Sequence, residues 1–596
     1  MYVVVVAYFF VMLFGLGSLV TLFFKNWNAD FVERQIVRLM LGIPAFVFLS
    51  TIMSLAGFIG FRMHWTVFLA IAFLGIASLW FQKQKFVWDK ECWIGLAAIV
   101  LCCISVFVMV KGSFAYTWLE DSDPWNHAMG AKYVAVTGMG LEQERGLNFL
   151  KYIDAYPPGY DVLLGMLHQL DANLNWLVKF FNALLVSLSI LFGYVAFKRF
   201  LKSAWWGLLA TFFLLMIPGF LSHFIWVHTL APIMFFAILY CFEMNFLFGS
   251  ILSVAGLGLV QLDQFVRMGS FFVGYGVIAW FWMKEHRATI WKGLLIGTFL
   301  ALVVWWIPMF VNYGSLENLV KVGLSQAENP LIMQKISTIN FIGSATRPYS
   351  FNDFFIATAQ NTINNPVGVG MVLFGLVLLG GFLTLLLVRR WKEHPEYAVS
   401  LLWFVTGLFL VMGWVVQIVP FRAWMLMVIP CVLLATIATK VVWNHVGIIK
   451  YAFLVAIIIG VVFTSGVQKY ELNTSVWSYG WLTAFDAKEY DYFFGLPANT
   501  KVFVASVPKR AIAYNLMVDA WDPDFNRMYD TLTVSHDVAP ASEWLLQHQY
   551  SYVVIDATFF KDNGGDVTNQ VINDFLRTGQ WNTVYNHDMY VLQRRY

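Results

Sequence analysis

Apolar runs of bilayer length, broken by short polar stretches, recur along the chain from Met1 to about Thr464. A helix rising 1.5 Å per residue needs about 20 residues to cross a hydrocarbon core of about 30 Å. By that ruler the pattern predicts about 14 spans. They lie near 2–24, 41–61, 66–81, 94–110, 176–197, 204–220, 228–245, 247–263, 268–283, 294–311, 367–388, 399–416, 423–440 and 449–466. The stretch 204–283 also admits a different number of hairpins. The first run has no basic leader and no small-residue cleavage site, so it reads as a retained span.

Charge orders these spans. Lys25, Arg34 and Arg38 follow the first, and Lys83, Lys85 and Lys90 the third. Lys198, Arg199 and Lys202 follow the fifth, and Lys284, Arg287 and Lys292 the ninth. Arg389, Arg390 and Lys392 follow the eleventh, then Lys440 and Lys450 the thirteenth. All these loops share one side, which the positive-inside rule assigns to the cytoplasm. The division expected is transmembrane helices over 1–110, a first outer loop over 111–175, and helices over 176–311. A second outer loop follows over 312–366, helices over 367–467, and an extracytoplasmic α/β domain over 468–596. In that last part Lys501–Ala505 and Tyr552–Ile555 read as buried strands, Ala541–His548 and Val567–Arg577 as helices, and Met589–Gln593 as an edge strand.

Composition sharpens the class. The chain is 60% hydrophobic and only 12% charged, against about 25% charged in soluble domains. A polytopic α-helical protein in a cell membrane, in contact with lipid, is the consequence. The net charge of +3 gives no bulk electrostatic argument for a nucleic-acid partner. The five cysteines lie in or beside apolar spans and form no Cys-x-x-Cys pattern, so they indicate neither a disulfide framework nor a compartment.

The first outer loop carries the densest chemistry: Trp118-Leu-Glu-Asp121-Ser-Asp123-Pro-Trp-Asn-His-Ala. Pro124 suits a first helical turn with Asp123 as its N-cap, and Gly138 suits the stop. Two carboxylates at such a corner can hold Mg²⁺ or Mn²⁺, hard cations that favour oxygen ligands. The plainer reading makes Asp123 a cap and Asp121 a solvated charge. Tyr156-Pro-Pro-Gly159 adds a stiff turn nearby.

Asp121-Ser-Asp123-Pro-Trp-Asn, then Lys132-Tyr133, Gly138 and Tyr156-Pro-Pro-Gly, resembles the first outer loop of the oligosaccharyltransferase catalytic-subunit family, in the GT-C glycosyltransferases. The resemblance implies a GT-C type fold and a catalytic divalent metal, Mn or Mg, on Asp121 and Asp123. It further implies a polyprenyl-(pyro)phosphate sugar donor, with Lys132 and Tyr156 on the donor side. The family's second acidic motif has no carboxylate here. Trp226-Val-His228-Thr follows Ile217-Pro-Gly-Phe instead, and His228 is either a metal or phosphate contact or a histidine paired at a helix end. Ser325-Gln-Ala-Glu328 looks like the family's Ser/Thr-x-x-Glu, whose glutamate helps to position the acceptor. Arg422, in Val419-Pro-Phe-Arg-Ala-Trp, matches an arginine that meets the donor phosphates, with snorkelling to the interface as the plainer role. Asp263 and Arg267, one turn apart, read first as a salt bridge and second as a phosphate contact through Arg267.

There are also departures. The family's Trp-Trp-Asp-Tyr-Gly is missing; Trp477-Ser-Tyr-Gly480 lacks its Asp, and Ser506-Val-Pro-Lys-Arg510 stands at the closer positional match. The acceptor is therefore open, protein or glycan. The expected activity is transfer of a sugar or oligosaccharide from the lipid-borne donor at the outer face. The competing readings are a transporter or flippase for a lipid-linked glycan and a catalytically inactive scaffold.

Overall fold

The computed structural model describes residues 2–24, 27–82, 88–142, 150, 152–153, 156–171, 173–313, 349–359, 365–413, 420–478 and 484–595. Among them, nine helices are long and apolar enough to cross a membrane, and five shorter apolar helices bring the set to the expected number. The order is α1 (Tyr2–Thr21), α2 (Phe31–Leu55), α3 (Trp65–Ser78), α4 (Lys90–Ser113), α5 (Ser122–Thr137), α6 (Gly159–His168), α7 (Leu174–Phe200) and α8 (Ala204–Met216). There follow α9 (Leu230–Glu243), α10 (Leu247–Gly258), α11 (Leu262–Trp282), α12 (Arg287–Ala301), α13 (Met371–Leu386), α14 (Pro395–Met412), α15 (Trp424–Trp443) and α16 (Lys450–Val461). A polytopic α-helical membrane protein is the result, and α5 and α6 are its two helices of the first polar loop.

Several bounds differ from the apolar runs because helices continue through polar turns at their ends. Asp30 caps α2 ten residues ahead of the predicted span, accepting from the Glu33 amide. Likewise α11 begins at Leu262, which takes Asp263 and Arg267 into its first turns. Helix α16 runs on through Val462–Gly466 to Thr474.

Helices α7 and α15 form the buried centre: 94% and 83% of their apolar windows lie inside the bundle, against 11% for the last span. Small residues set the closest helix approaches, as expected where neighbouring helices gain little from water exclusion. A Cβ on Gly17 of α1 would lie 1.7 Å from the Arg38 carbonyl of α2, and one on Gly75 of α3 would lie 1.9 Å from the Gly15 carbonyl.

The basic loops do gather at one end. Lys198 Nζ meets Asp30 at 2.6 Å, Glu33 at 2.8 Å and Glu91 at 2.6 Å, and Arg199 meets Glu33 at 2.6 Å. These groups come from the ends of α2, α4 and α7. Glu91, Lys198 and Arg199 border, with Lys202, Glu243 and His286, a polar cavity of about 340 Å³. The histidines and acids of the first outer loop lie at the opposite end.

The C-terminal part holds a four-stranded sheet of β1 (Val502–Val504), β2 (Tyr552–Ile555), β3 (Trp581–Asn586) and β4 (Tyr590–Arg594). Its order is β1-β2-β4-β3, with β1 and β2 parallel and the other pairs antiparallel. The last strand is thus interior rather than at the edge. Strand β3, whose Trp-Asn-Thr-Val-Tyr-Asn gives little apolar alternation, takes the outer position. Helices α17 (Lys509–Ala513), α18 (Pro523–Thr533), α19 (Val538–Gln547) and α20 (Gly565–Arg577) complete this α/β domain.

If the glycine contacts set the spacing of α1 and α2, Gly17→Ala destabilises the protein by about 1–3 kcal/mol, as overpacking does. Gly381→Ala, where nothing lies within 4 Å of the new Cβ, is neutral or mildly stabilising. Thermal unfolding of the detergent-solubilised protein measures both; equal midpoints would refute the contact.

Candidate functional site

Helix α5 starts two residues before the predicted turn. Asp121, not Asp123, is its N-cap, and the Asp121 carboxylate accepts from the Ser122 amide at 2.7 Å. Pro124 then falls within the first turn, where its missing N–H leaves no hydrogen bond unmade. Gly138, at φ +70°, ends the helix in the left-handed region as expected. From Pro124 to Val134 every residue of α5 is buried. Helix α6 packs closely enough that a Cβ on Gly130 would lie 2.1 Å from Asp161 Oδ2.

Asp123 is held by a residue that the sequence did not single out. Tyr152 Oη donates to Asp123 Oδ1. The Tyr152 ring stacks on His127 at 4.4 Å between centroids, and His127 Nδ1 meets Asp161 Oδ1 at 2.6 Å. Burial, then the Asp123 charge, pushes the Tyr152 phenol well above its usual range. Glu120 turns the other way: its Oε1 accepts from Tyr116 Oη at 2.6 Å, beside His223. With no exposure, its carboxyl is pushed up by burial despite the nearby Lys179.

The second half of the site is a charge cluster at the head of α11. Asp263 Oδ2 takes Arg267 Nη1 at 3.2 Å and Arg422 Nη1 at 3.3 Å, and Asp263 Oδ1 faces His228 Nε2 at 3.5 Å. Gln261 lies 3.1 Å from the same His228 nitrogen and also accepts from Tyr156 Oη. Arg422 lies within electrostatic reach of both Asp263 and Asp123, so the two halves adjoin. The predicted Asp263–Arg267 pair is therefore real, and its carboxylate also joins two residues far away in sequence. Elsewhere on α11, Phe265, Val266 and Gly269 line an apolar groove of about 390 Å³ that runs on between α10 and α12 past Val254 and Trp291, and none of the cluster's charged residues borders it.

Lys132 does not join this cluster. Lys132 is buried further along α5, where Nζ donates to Asn499 of the C-terminal domain and to His168 Nε2 at 3.3 Å. Burial pushes the Lys132 ammonium down to about 8. It ties the outer loop to the C-terminal domain, alongside Lys509, which bonds Asn126, and Asn175, which donates to the Ala513 carbonyl at 2.9 Å. Ser506–Arg510 serves the same docking, while Arg510 turns inward to Asp556 at 2.6 Å. Glu328 lies outside the described residues. Trp477 is a packing residue against His223, with ring centroids 4.0 Å apart.

The metal-ligand set is changed too. Asp121, Asp123 and His228 do not bring their ligand atoms within 4.8 Å of one another; among the described residues that is true only of Glu489, His587 and Asp588 in the C-terminal domain. His228 instead faces Asp263 and Gln261, which removes it from the set. Asp121 and Asp123 still fit a hard divalent ion, since Mg²⁺ is commonly bound by one or two carboxylates plus substrate phosphate.

No protein-family model and no curated protein matches the chain. Its structure is similar to crystal structures of ArnT from Cupriavidus metallidurans, in the apo state and bound to undecaprenyl phosphate. Each has a TM-score of 0.44 and 13% identity, over 83% and 85% of this chain and 98% of the other. A likeness of that degree leaves family and activity to the site itself.

Arg267 is only 1% exposed, so loss of Asp263 removes a charge partner from a buried cation. Asp263→Ala is expected to cost about 3–5 kcal/mol, and the Asp263→Ala/Arg267→Met double variant to recover much of it. Thermal midpoints of the two variants check this; a double variant less stable than the single one would contradict it.

Proposed function

We propose that this protein is a GT-C type membrane glycosyltransferase, moving a sugar or oligosaccharide from a polyprenyl-(pyro)phosphate donor to a protein or glycan acceptor. The reaction face is the one opposite the basic loops, extracytoplasmic by the positive-inside rule. The observation that carries this reading is the convergence of Asp123 with Arg422, and of Arg422 with Arg267 on Asp263, at one end of the bundle. A lipid-borne phosphate has a charged end, for which this site offers two guanidiniums.

Arg422 and Arg267 would take the phosphate oxygens, to which a guanidinium forks well. Asp263 orients both arginines. Tyr156, bonded to Gln261 beside His228, closes the side toward α6. Asp121 and Asp123 would hold a divalent ion, which when bound supplies positive charge to the departing phosphate. The acceptor attacks the anomeric carbon as the phosphate leaves. Glu328 is the candidate for acceptor positioning.

A flippase is the second reading. The cavity beside Lys198 and Arg199 supplies the polar site at the other end that such a transporter needs. The two readings separate on whether the sugar changes its attachment.

The test uses purified protein with undecaprenyl phosphate carrying labelled glucose, mannose or galactose, and a cell-envelope extract as acceptor. Transfer is expected with Mn²⁺ or Mg²⁺ and lost with EDTA. Asp123→Ala should lower kcat/KM at least 10²-fold, as loss of a transition-state charge contact does. Arg422→Gln should raise the donor KM about tenfold or more, for a charged hydrogen bond of about 1.5–3 kcal/mol. Undiminished transfer by Asp123→Ala refutes the assignment; lipid movement without transfer favours the flippase.

A further inference from the structure

The proposed transfer to a hydroxyl acceptor needs a group to take the acceptor's proton. Asp123 is poorly suited, since its Oδ1 already accepts from Tyr152 and its proposed task is to hold positive charge. One helical turn further along α5, on the same face, stands His127. Four residues at 1.5 Å each give a rise of about 6 Å, the distance of a neighbouring group on the same side of a sugar ring.

We propose that His127, held by Asp161, is the general base of this reaction. The role rests on the glycosyltransferase reading above. Three observations support it. First, His127 Nδ1 meets Asp161 Oδ1 at 2.6 Å with both side chains almost fully buried; against an ionised Asp161, Nδ1 is the N–H donor and Nε2 the basic nitrogen. Nothing among the described residues bonds to Nε2. Second, Asp161 Oδ2 is buried with no hydrogen-bond partner, so this carboxylate is engaged by the imidazole alone among the described residues. A carboxylate placed so stabilises the imidazolium that forms when Nε2 takes a proton. Third, the imidazole lies flat against Tyr152, the residue that bonds Asp123, so the dyad borders the reacting cluster rather than a remote packing site. The groups facing the dyad are Asp123 on α5, Tyr152 and Tyr156 on the loop, and Tyr160 on α6. Gly130 is the local adaptation that admits the Asp161 carboxylate against α5.

The step balances. The acceptor oxygen bonds to the anomeric carbon as the bond from that carbon to the phosphate oxygen breaks. The electron pair leaves on the phosphate, the acceptor proton goes to His127 Nε2, and Asp161 carries the balancing negative charge.

A purely structural clamp between α5 and α6 would show the same contacts, so the test must separate the two. His127→Asn keeps a donor for Asp161 but cannot take a proton. With the labelled donors and the envelope extract, this variant should keep the thermal midpoint and donor KM while kcat falls about 10²–10⁴-fold, the range for a lost general base. The acidic limb of the pH–kcat profile should disappear with it. Asp161→Asn should shift that limb. Histidine-labelled NMR of the wild-type protein, with His127→Asn for assignment, should show the Nδ1–H tautomer. Transfer by His127→Asn within threefold of wild type, or an Nε2–H tautomer, overturns the role alone. No transfer by the wild-type protein removes the glycosyltransferase reading and this role with it.

Discussion

Two guanidiniums and an imidazole sharing one carboxylate, at the rim of an apolar bundle, is the arrangement on which the rest of this site depends. Charges near a low-dielectric interior persist only when paired. Asp263 provides that pairing for Arg267 within its own helix and for Arg422 across the bundle. It also faces His228. The two arginines are thereby held as a fixed pair instead of being left to reach separately for solvent. The same pairing brings α11, α15 and the turn before α9 to one point.

The acidic half is held by different means. Helix α5 lies buried against α6, and its Asp123 is turned by a tyrosine that stacks on His127. Lys132, Lys509 and Asn175 then join the outer loop to the C-terminal domain. That domain thus serves as a brace over the helix that presents Asp123. Its own interior is pinned by Arg510 on Asp556, with Ser506 and Tyr490 bonding the same carboxylate.

Much of the architecture was legible in the sequence because apolar length is a local property. The runs mark the helices, and the basic loops sort their ends. The bounds were less legible, since α2 and α11 continue through polar turns that no hydropathy window includes. At the site, Asp123, Arg422 and the Asp263–Arg267 pair could be read from motif and spacing. Their convergence could not, because Arg422 and His228 meet Asp263 only through tertiary packing. Lys132 and His228 were assigned by likeness to a motif, but burial in one case and a neighbouring carboxylate in the other give them different partners. His127 stood inside the quoted motif, and nothing short of the Asp161 contact distinguishes it from an ordinary core histidine.

One end of the bundle, in the proposed reaction, holds a lipid-borne phosphate on Arg267 and Arg422. A cryo-EM structure of the protein with undecaprenyl phosphate tests this most directly. Phosphate density is expected within hydrogen-bond distance of both arginines. Density for the lipid at the Lys198–Arg199 end, with the Asp263 cluster unchanged, would contradict it.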